Sequence, residues 1–382
     1  MKIKLLSIFL IAGLLSCKKN EESTPVDTAK QDVLKLIEAD ATVNKLNSVA
    51  FAVTKNDELL WADAVGFANK ENKTKATADT PYLIASISKT VTAVALMQLF
   101  EQGKFQLDDD INGYLPFKVR NSMFPNDKIT FKMLLTHSSS ISDEHYNTLD
   151  FYTYGADNPL PLGEMMAGFY DKNGKYNSTE NFSTKKPGSV IEYSNMGFAL
   201  IGYLVENISK TPFDKYCNTN IFAKLGMNKT SWRLADFNKN QLAIPYSDPE
   251  FPTDLANPHY TFADFPNGGL RTTVVDLSKF LRAIINNGIT QNANILKPQT
   301  VELMKTKNGQ KLNNDDLGLC FYYTKVGNKE YFGHGGGEKG VNTNMLLDLN
   351  TKIGVIWFSN TNGTGIESNV AIAELMKYGA SK

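Results

Sequence analysis

The chain has 382 residues, 42% of them hydrophobic, and its 40 basic and 40 acidic residues cancel. That length buries a large core, as one big domain or two interleaved subdomains. Balanced charge leaves no electrostatic footprint for nucleic acid, so a nucleic-acid partner is not expected.

Met1 to Ser16 places Lys2 and Lys4 ahead of an apolar run from Leu5 to Leu15, too short to span a bilayer, and Cys17 follows at once. This reads as an export signal. Leu14, Leu15, Ser16 and Cys17 resemble a bacterial lipobox, which implies cleavage before Cys17 and lipidation of that cysteine; an uncleaved anchor and an unlipidated secreted protein are the alternatives. The polar stretch 18–30, KKNEESTPVDTAK, reads as a flexible tether. Lys18 is not the aspartate associated with inner-membrane retention, so the expected place is the cell envelope, on the outer membrane, through lipidated Cys17.

Residues 31–382 read as the folded part. A helical pattern from Asp32 to Leu46 leads to a strand hairpin, Val49 to Val53 and Leu59 to Val65. Helical patterns then dominate at Ser86 to Gln102, Leu162 to Tyr170, Asn195 to Asn207, Asp214 to Leu225 and Asp276 to Asn287. Strands return at Leu317 to Lys325, Lys329 to Gly333, Val341 to Leu349 and Ile353 to Asn360, and Ile366 to Tyr378 reads as a closing helix. The expected fold is α/β: an antiparallel sheet built from both chain ends and flanked by helices, with a large, mainly helical insertion. The sheet subdomain spans about 31–78 and 265–382, and the helical one about 79–264.

Cys217 and Cys320 sit in apolar surroundings and read as buried free thiols, although an exported protein can pair them. His137, His145, His259 and His334 show no ligand spacing, so neither a metal nor another cofactor is expected.

Three stretches carry chemistry. In Ile84 to Gly103, Ser86 and Lys89 stand one turn apart at the start of an apolar helix, a candidate nucleophile and base. Ser-x-x-Lys is a short pattern, met also at Ser16 to Lys19 and Ser183 to Lys186, and a serine opening a helix is often only its start. Next, Tyr193 and Asn195 precede an apolar helix, spaced so that both reach one cleft. The last is Gly333 to Gly337, G-H-G-G-G. So many glycines weaken a strand and point to close approach of backbone to a ligand.

Taken together, Ser86-Ile87-Ser88-Lys89, Tyr193-Ser194-Asn195 and His334-Gly335-Gly336 resemble, in order and separation, the three active-site motifs of the serine β-lactamase and penicillin-binding protein superfamily. Tyrosine in the second motif is similar to the class C β-lactamase-like branch, with its DD-peptidases, D-aminopeptidases and carboxylesterases. Asp79-Thr80-Pro81, Leu134 to Ser139, Pro187-Gly188, Leu225-Gly226-Met227 and Gly268-Gly269-Leu270 agree with it, and the resemblance spans roughly Val33 to Tyr378. It implies that Ser86 forms an acyl-enzyme and that Lys89 and Tyr193 share the proton, either being the base. Asn195 would orient Lys89 or the substrate amide, and the backbone N–H groups of Ser86 and Gly337 would bind the oxyanion, with His334, Gly335 and Gly336 lining the substrate.

Two departures stand out. Relatives with β-lactamase activity carry lysine where this chain has His334, which is shorter and about half-charged near pH 6.5; efficient β-lactam hydrolysis is therefore not expected. Ser140 replaces a glycine. The expected function is a serine hydrolase acting on a small amide, ester or peptide, foremost a D-amino-acid peptide. The alternatives are a carboxylesterase or weak β-lactamase, and a slowly deacylating binder of penicillin or cell-wall peptide. Oligomeric state is not readable from the sequence.

Overall fold

The computed structural model describes residues 28–246, 256–291, 293–362 and 370–382. The export signal and Cys17 lie outside the described residues. At the centre of the fold the strand Ser48–Lys55, SVAFAVTK, is buried on both sides. Side chains alternate across a strand, so Val49, Phe51 and Val53 face one way and Ala50 and Ala52 the other. The larger three join Ile37, Trp61, Trp357 and Leu375 under the helices Thr28–Val43 and Val370–Ser381. The alanines join the main core on the opposite face, where the helix Val274–Ile285 lies against the sheet. Its approach depends on small residues: a Cβ on Gly354 would stand 2.6 Å from the Leu281 side chain.

Nine described strands make one antiparallel sheet in the order Thr74–Lys75, Glu58–Asn69, Ser48–Lys55, Ile353–Ser359, Val341–Asp348, Lys329–Glu338, Tyr322–Val326, Asp315–Leu317 and Lys311–Leu312. Both chain ends therefore build it, and the fold is the mixed α/β arrangement that the hydrophobic patterns predict. One expected strand is two. Leu317 to Lys325 is broken between Leu317 and Tyr322, where Cys320 takes a φ of 73°, outside the range of an extended strand. Cys217 and Cys320 are both buried and unpaired.

The helix Ser88–Glu101 runs through the core, with Ser88 to Leu99 all buried. Its buried hydroxyls are bonded outward or to its own turns: Thr92 Oγ1 donates to Pro266 O at 2.6 Å, Ser88 Oγ accepts from Leu270 N at 3.1 Å, and Thr90 Oγ1 donates to Ile87 O at 2.7 Å. Alongside it packs Asn195–Ser209, pressed onto the turn Phe265–Asn267 so closely that a Cβ on Gly202 would lie 2.5 Å from Pro266. These contacts fix three separate chain segments around the start of the Ser88–Glu101 helix.

Candidate active site

The α-helix opens at Ser88, not at Ser86 as the sequence suggests. Ser86 stands in a tight 3-10 turn, Ala85–Ile87, and Ala85 before it holds a φ of 47°. A left-handed alanine costs about 1–2 kcal/mol, and the surroundings enforce it: Ile84 N donates to Leu270 O at 2.9 Å, and Thr343 Oγ1 donates to Ile84 O at 2.8 Å. The turn leaves Ser86 half-buried among buried neighbours. Its hydroxyl caps no helix N–H. Instead it accepts a hydrogen bond from Lys89 Nζ at 3.0 Å.

Lys89 is fully buried. Its ammonium has three donors, and the other two go to Asn195 Oδ1 at 2.7 Å and Asn267 O at 2.8 Å. No described carboxylate comes within ion-pair distance of it. Burial lowers its affinity for a proton, and the attraction of Asp143, Asp264 and Glu338 only partly restores it, leaving the amine at about 8. The Ser183 to Lys186 match holds nothing comparable, since Lys186 pairs with Asp127 at 3.0 Å.

Tyr193 and Asn195 come from the entry to the Asn195–Ser209 helix, whose N-cap is Ser194. The Tyr193 ring stacks on His137 at 4.4 Å, and Lys89 Nζ stands 4.8 Å from its centroid. Burial pushes the Tyr193 phenol well above its ordinary range, although hydrogen bonding to Ser86 and the nearby Tyr322 oppose this. Tyr322 is close enough to influence Tyr193, but its own hydroxyl has no well-formed hydrogen bond among the described residues.

The third motif lies on the strand Lys329–Glu338. Residues 334, 336 and 338 share one face of it, and the glycines differ in purpose. A Cβ on Gly336 would meet Ile84 O and Thr343 Oγ1 at 2.5 Å, so the close approach inferred from the sequence is to the serine turn itself. Gly333 likewise lies against the Met345 carbonyl, whereas a Cβ on Gly335 would come no nearer than 3.2 Å to anything, the Asn344 Oδ1, and Gly337 faces open space.

His334 is where the structure corrects the sequence most. It is 2% exposed, bonded through Nδ1 to Gly335 O and packed on Tyr322 at 4.5 Å. Burial, aided by Lys89, lowers it to about 3. The sequence leads to a group half-charged near pH 6.5, whereas burial keeps this ring neutral there.

Several neighbours were not singled out by sequence. His137 accepts from Ser194 N at 3.1 Å, and the Asp143 carboxylate accepts from Ser194 Oγ, Asn195 N and Met196 N at 3.0, 2.6 and 3.0 Å. Asn267 supplies the carbonyl that holds Lys89. The segment from Asp143 to Lys186 also reaches the sheet: Tyr152, paired in a short ladder with Phe262, donates to Glu338 Oε1 at 2.9 Å and forms an aromatic wall with Tyr260. The His137 run is legible in the sequence as text flanking the motifs. A cavity of about 590 Å³ lined by Thr80, Asp214, Trp232 and Gln241 includes none of the residues around Ser86. The described residues hold no cluster of His, Cys, Asp and Glu fit for a metal ion.

A serine hydroxyl hydrogen-bonded to a buried amine, on a strained turn against a glycine strand, is a set of parts for nucleophilic acyl transfer. The family model described as Beta-lactamase matches residues 34–377. The chain belongs to the β-lactamase family. Protein flp of Staphylococcus aureus (strain N315) is 26% identical over 263 residues, 68% of this chain and 49% of its own; this β-lactamase-family chain thus spans about half the length of that curated relative. Among solved structures, the octameric penicillin-binding protein homologue from Pyrococcus abyssi superposes with a TM-score of 0.73 at 24% identity, covering 92% of this chain and 77% of that one. D-amino acid amidase from Ochrobactrum anthropi SV3 gives 0.72 at 20% identity, over 93% and 98%. At such identities the likeness is one of fold.

Proposed function

We propose that this member of the β-lactamase family of serine hydrolases works through an acyl-enzyme on Ser86 and acts on an amide or ester of a D-amino acid, foremost a short D-amino-acid peptide. The observation that carries the reading is the buried Lys89 amine 3.0 Å from Ser86 Oγ. Of the two candidate bases, Lys89 takes the proton. Burial has brought its amine to about 8, whereas it drives the Tyr193 phenol the opposite way. A neutral Lys89 keeps two N–H groups for Asn195 and Asn267 and turns its lone pair to the Ser86 hydroxyl.

The Ser86 Oγ to carbonyl-carbon bond forms as the proton moves to Lys89, and the negative oxygen lies under the N–H groups of Ser86 and Gly337. Each such donor is worth about 3 kcal/mol in comparable sites. Collapse breaks the bond to the leaving amine or alcohol, which receives the proton from Lys89 by way of Tyr193. Water then attacks the ester carbonyl, its proton passes to the same pair, and Ser86 leaves protonated. His334, neutral and buried, gives no permanent cation for a substrate carboxylate. That weighs toward amides and esters and against β-lactams, and it equally favours a carboxylesterase as the second reading. A D-amino-acid amide is the chemistry in the name of the Ochrobactrum neighbour.

The test is hydrolysis of D-phenylalanine amide and of a nitrophenyl ester by the wild type and by Ser86→Ala, beside intact mass after benzylpenicillin. Full activity in Ser86→Ala on either substrate would sink the reading. A penicilloyl adduct persisting for hours without turnover would favour the slowly deacylating binder. For location, the run Lys2, Lys4, Leu5 to Leu15 and Cys17 supports an exported protein held in the cell envelope by lipid on Cys17; metabolic labelling with palmitate, absent in Cys17→Ser, checks it.

A further inference from the structure

Lys89 makes two hydrogen bonds besides the one to Ser86, and each goes to an asparagine that is itself bonded to an aspartate. On one side Lys89 Nζ donates to Asn195 Oδ1 at 2.7 Å and Asn195 N donates to Asp143 Oδ2 at 2.6 Å. On the other it donates to Asn267 O at 2.8 Å, and the Asn267 amide donates to the Asp264 carboxylate. Neither aspartate touches Lys89. Asp264 is 1% exposed, with one carboxylate oxygen lacking a hydrogen bond of ordinary geometry, and the Asp143 carboxylate is filled by three donors.

We propose that Asp143 and Asp264 are paired positioning residues that set the proton affinity of Lys89 from opposite sides, each through its own asparagine, and so fix the pH at which Ser86 becomes a nucleophile. The proposal rests on the acyl-transfer reading above. Its physical basis is that a buried ammonium without a contacting counter-ion is stabilised by the nearest fixed negative charges. Tyr193, Cys320 and Tyr322 are neutral because burial raises them, and His137 and His334 are neutral because burial lowers them. Asp143, Asp264 and Glu338 remain as the carboxylates, with Asp143 the strongest attraction on Lys89. Burial raises both aspartates, Asp264 to about 6 and so still below the pH at which Lys89 titrates, while the three donors on Asp143 and the Asn267 amide and Tyr146 on Asp264 favour their charged forms. Glu338 is engaged at the cleft rim by Tyr152 and by the Lys339 backbone. The two aspartates also hold the loops on which Asn195 and Asn267 stand, so charge and alignment come from the same groups.

The experiment is the rate of Ser86 modification by an alkyl phosphonofluoridate, read by intact mass between pH 5 and 10, in the full chain and three variants. Asp143→Asn and Asp264→Asn each remove one charge while preserving shape. Ser194→Ala removes a donor to Asp143 and leaves the charge. Wild-type modification is expected to rise with pH around a midpoint near 8. Each Asn variant moves the midpoint down by about half to one pH unit, the low end for an opposite charge that is not in contact, and Ser194→Ala leaves it in place. The two Asn variants are independent, so failure of one to fold leaves the other as the test. Unmoved midpoints in every folded Asn variant, or an equal shift in Ser194→Ala, would overturn the proposal with the acyl-transfer reading intact. A wild type that is never modified at Ser86 would overturn both.

Discussion

A Cβ on Gly336 would stand 3.0 Å from the Ser86 backbone nitrogen. The third motif is thus pressed against the serine turn with no room for even a methyl group. Next to it Gly337 has none of this constraint, because a Cβ there meets nothing within 4 Å. Gly336→Ala is expected to displace the turn, costing about 1–3 kcal/mol of stability as overpacking does and at least about tenfold in kcat/KM, as small misplacements in a reacting geometry do. Gly337→Ala should keep both within about twofold and 0.5 kcal/mol. Thermal melts and steady-state kinetics on the two alanines decide it; equal behaviour would refute the distinction.

Lys89 must be neutral to accept the Ser86 proton, and its amine loses its proton at about 8. Activity should therefore be low below pH 7 and rise with pH through a single ascending limb near 8. A histidine as the titrating group would put that limb near its ordinary value of about 6.5. His334→Gln, neutral at every pH, should leave the limb where it is. Loss of the limb in that variant would show that His334, not Lys89, titrates.

His334 has the opposite significance for stability. Its proton affinity in the fold, at about 3, lies below the value of about 6.5 in the unfolded chain. As pH falls below 6.5 the unfolded chain takes up a proton that the folded one refuses, so stability present above 6.5 is lost toward pH 3. Such a group contributes at most about 1.4 kcal/mol per pH unit. Asp264, raised to about 6, works against it over part of this range, so the clean measurement is a difference. The fall in Tm from pH 6.5 to 4 should be shallower in His334→Gln than in the wild type, and an identical fall would contradict a buried neutral imidazole.

Asn195 gives Lys89 its shortest hydrogen bond, 2.7 Å. Asn195→Ala removes that acceptor and frees the amine to swing from Ser86. A loss of about 100-fold in kcat is expected, as when a reacting group is misplaced by about 1 Å, with KM changed less than about threefold. A rise in KM with kcat unchanged would instead make Asn195 a substrate-binding group alone.

The sequence made the parts of this site visible and hid how they are held. Ser86, Lys89 and Asn195 are hydrogen-bonded together across more than a hundred residues of chain, and their three motifs were readable because chemistry constrains residue type at short spacing. Helices were legible from their apolar period to within a few residues, as with Leu162–Tyr170 and Asn195–Ser209. What escaped reading depends on tertiary contact. The helix start moved from Ser86 to Ser88 because Thr343 and Leu270 hold a left-handed Ala85 that no local signal announces. The charge of His334 followed from burial against Tyr322 and from nearby Lys89, and a lone histidine in a strand says nothing of either. Asp143 and Asp264 were invisible for the same reason, as aspartates in irregular segments whose partners lie far along the chain.

The place of Ile353–Ser359 in the sheet has a consequence for biosynthesis. That strand lies between Ser48–Lys55 and Val341–Asp348, pairing Val53 with Val355 on one side and Met345 with Ile356 on the other. At about 5–20 residues per second, the ribosome needs roughly 15–60 seconds to extend the chain by the 302 residues that take it from Val53 to Val355. Throughout that interval the first hairpin has one bare apolar edge, the kind of template on which foreign strands assemble. Until the last strand arrives, the segment carrying His334 and the glycines has no link through the sheet to the first hairpin. A nascent chain stalled before residue 353 should therefore be protease-sensitive and unreactive at Ser86, however much of its helical middle has already condensed.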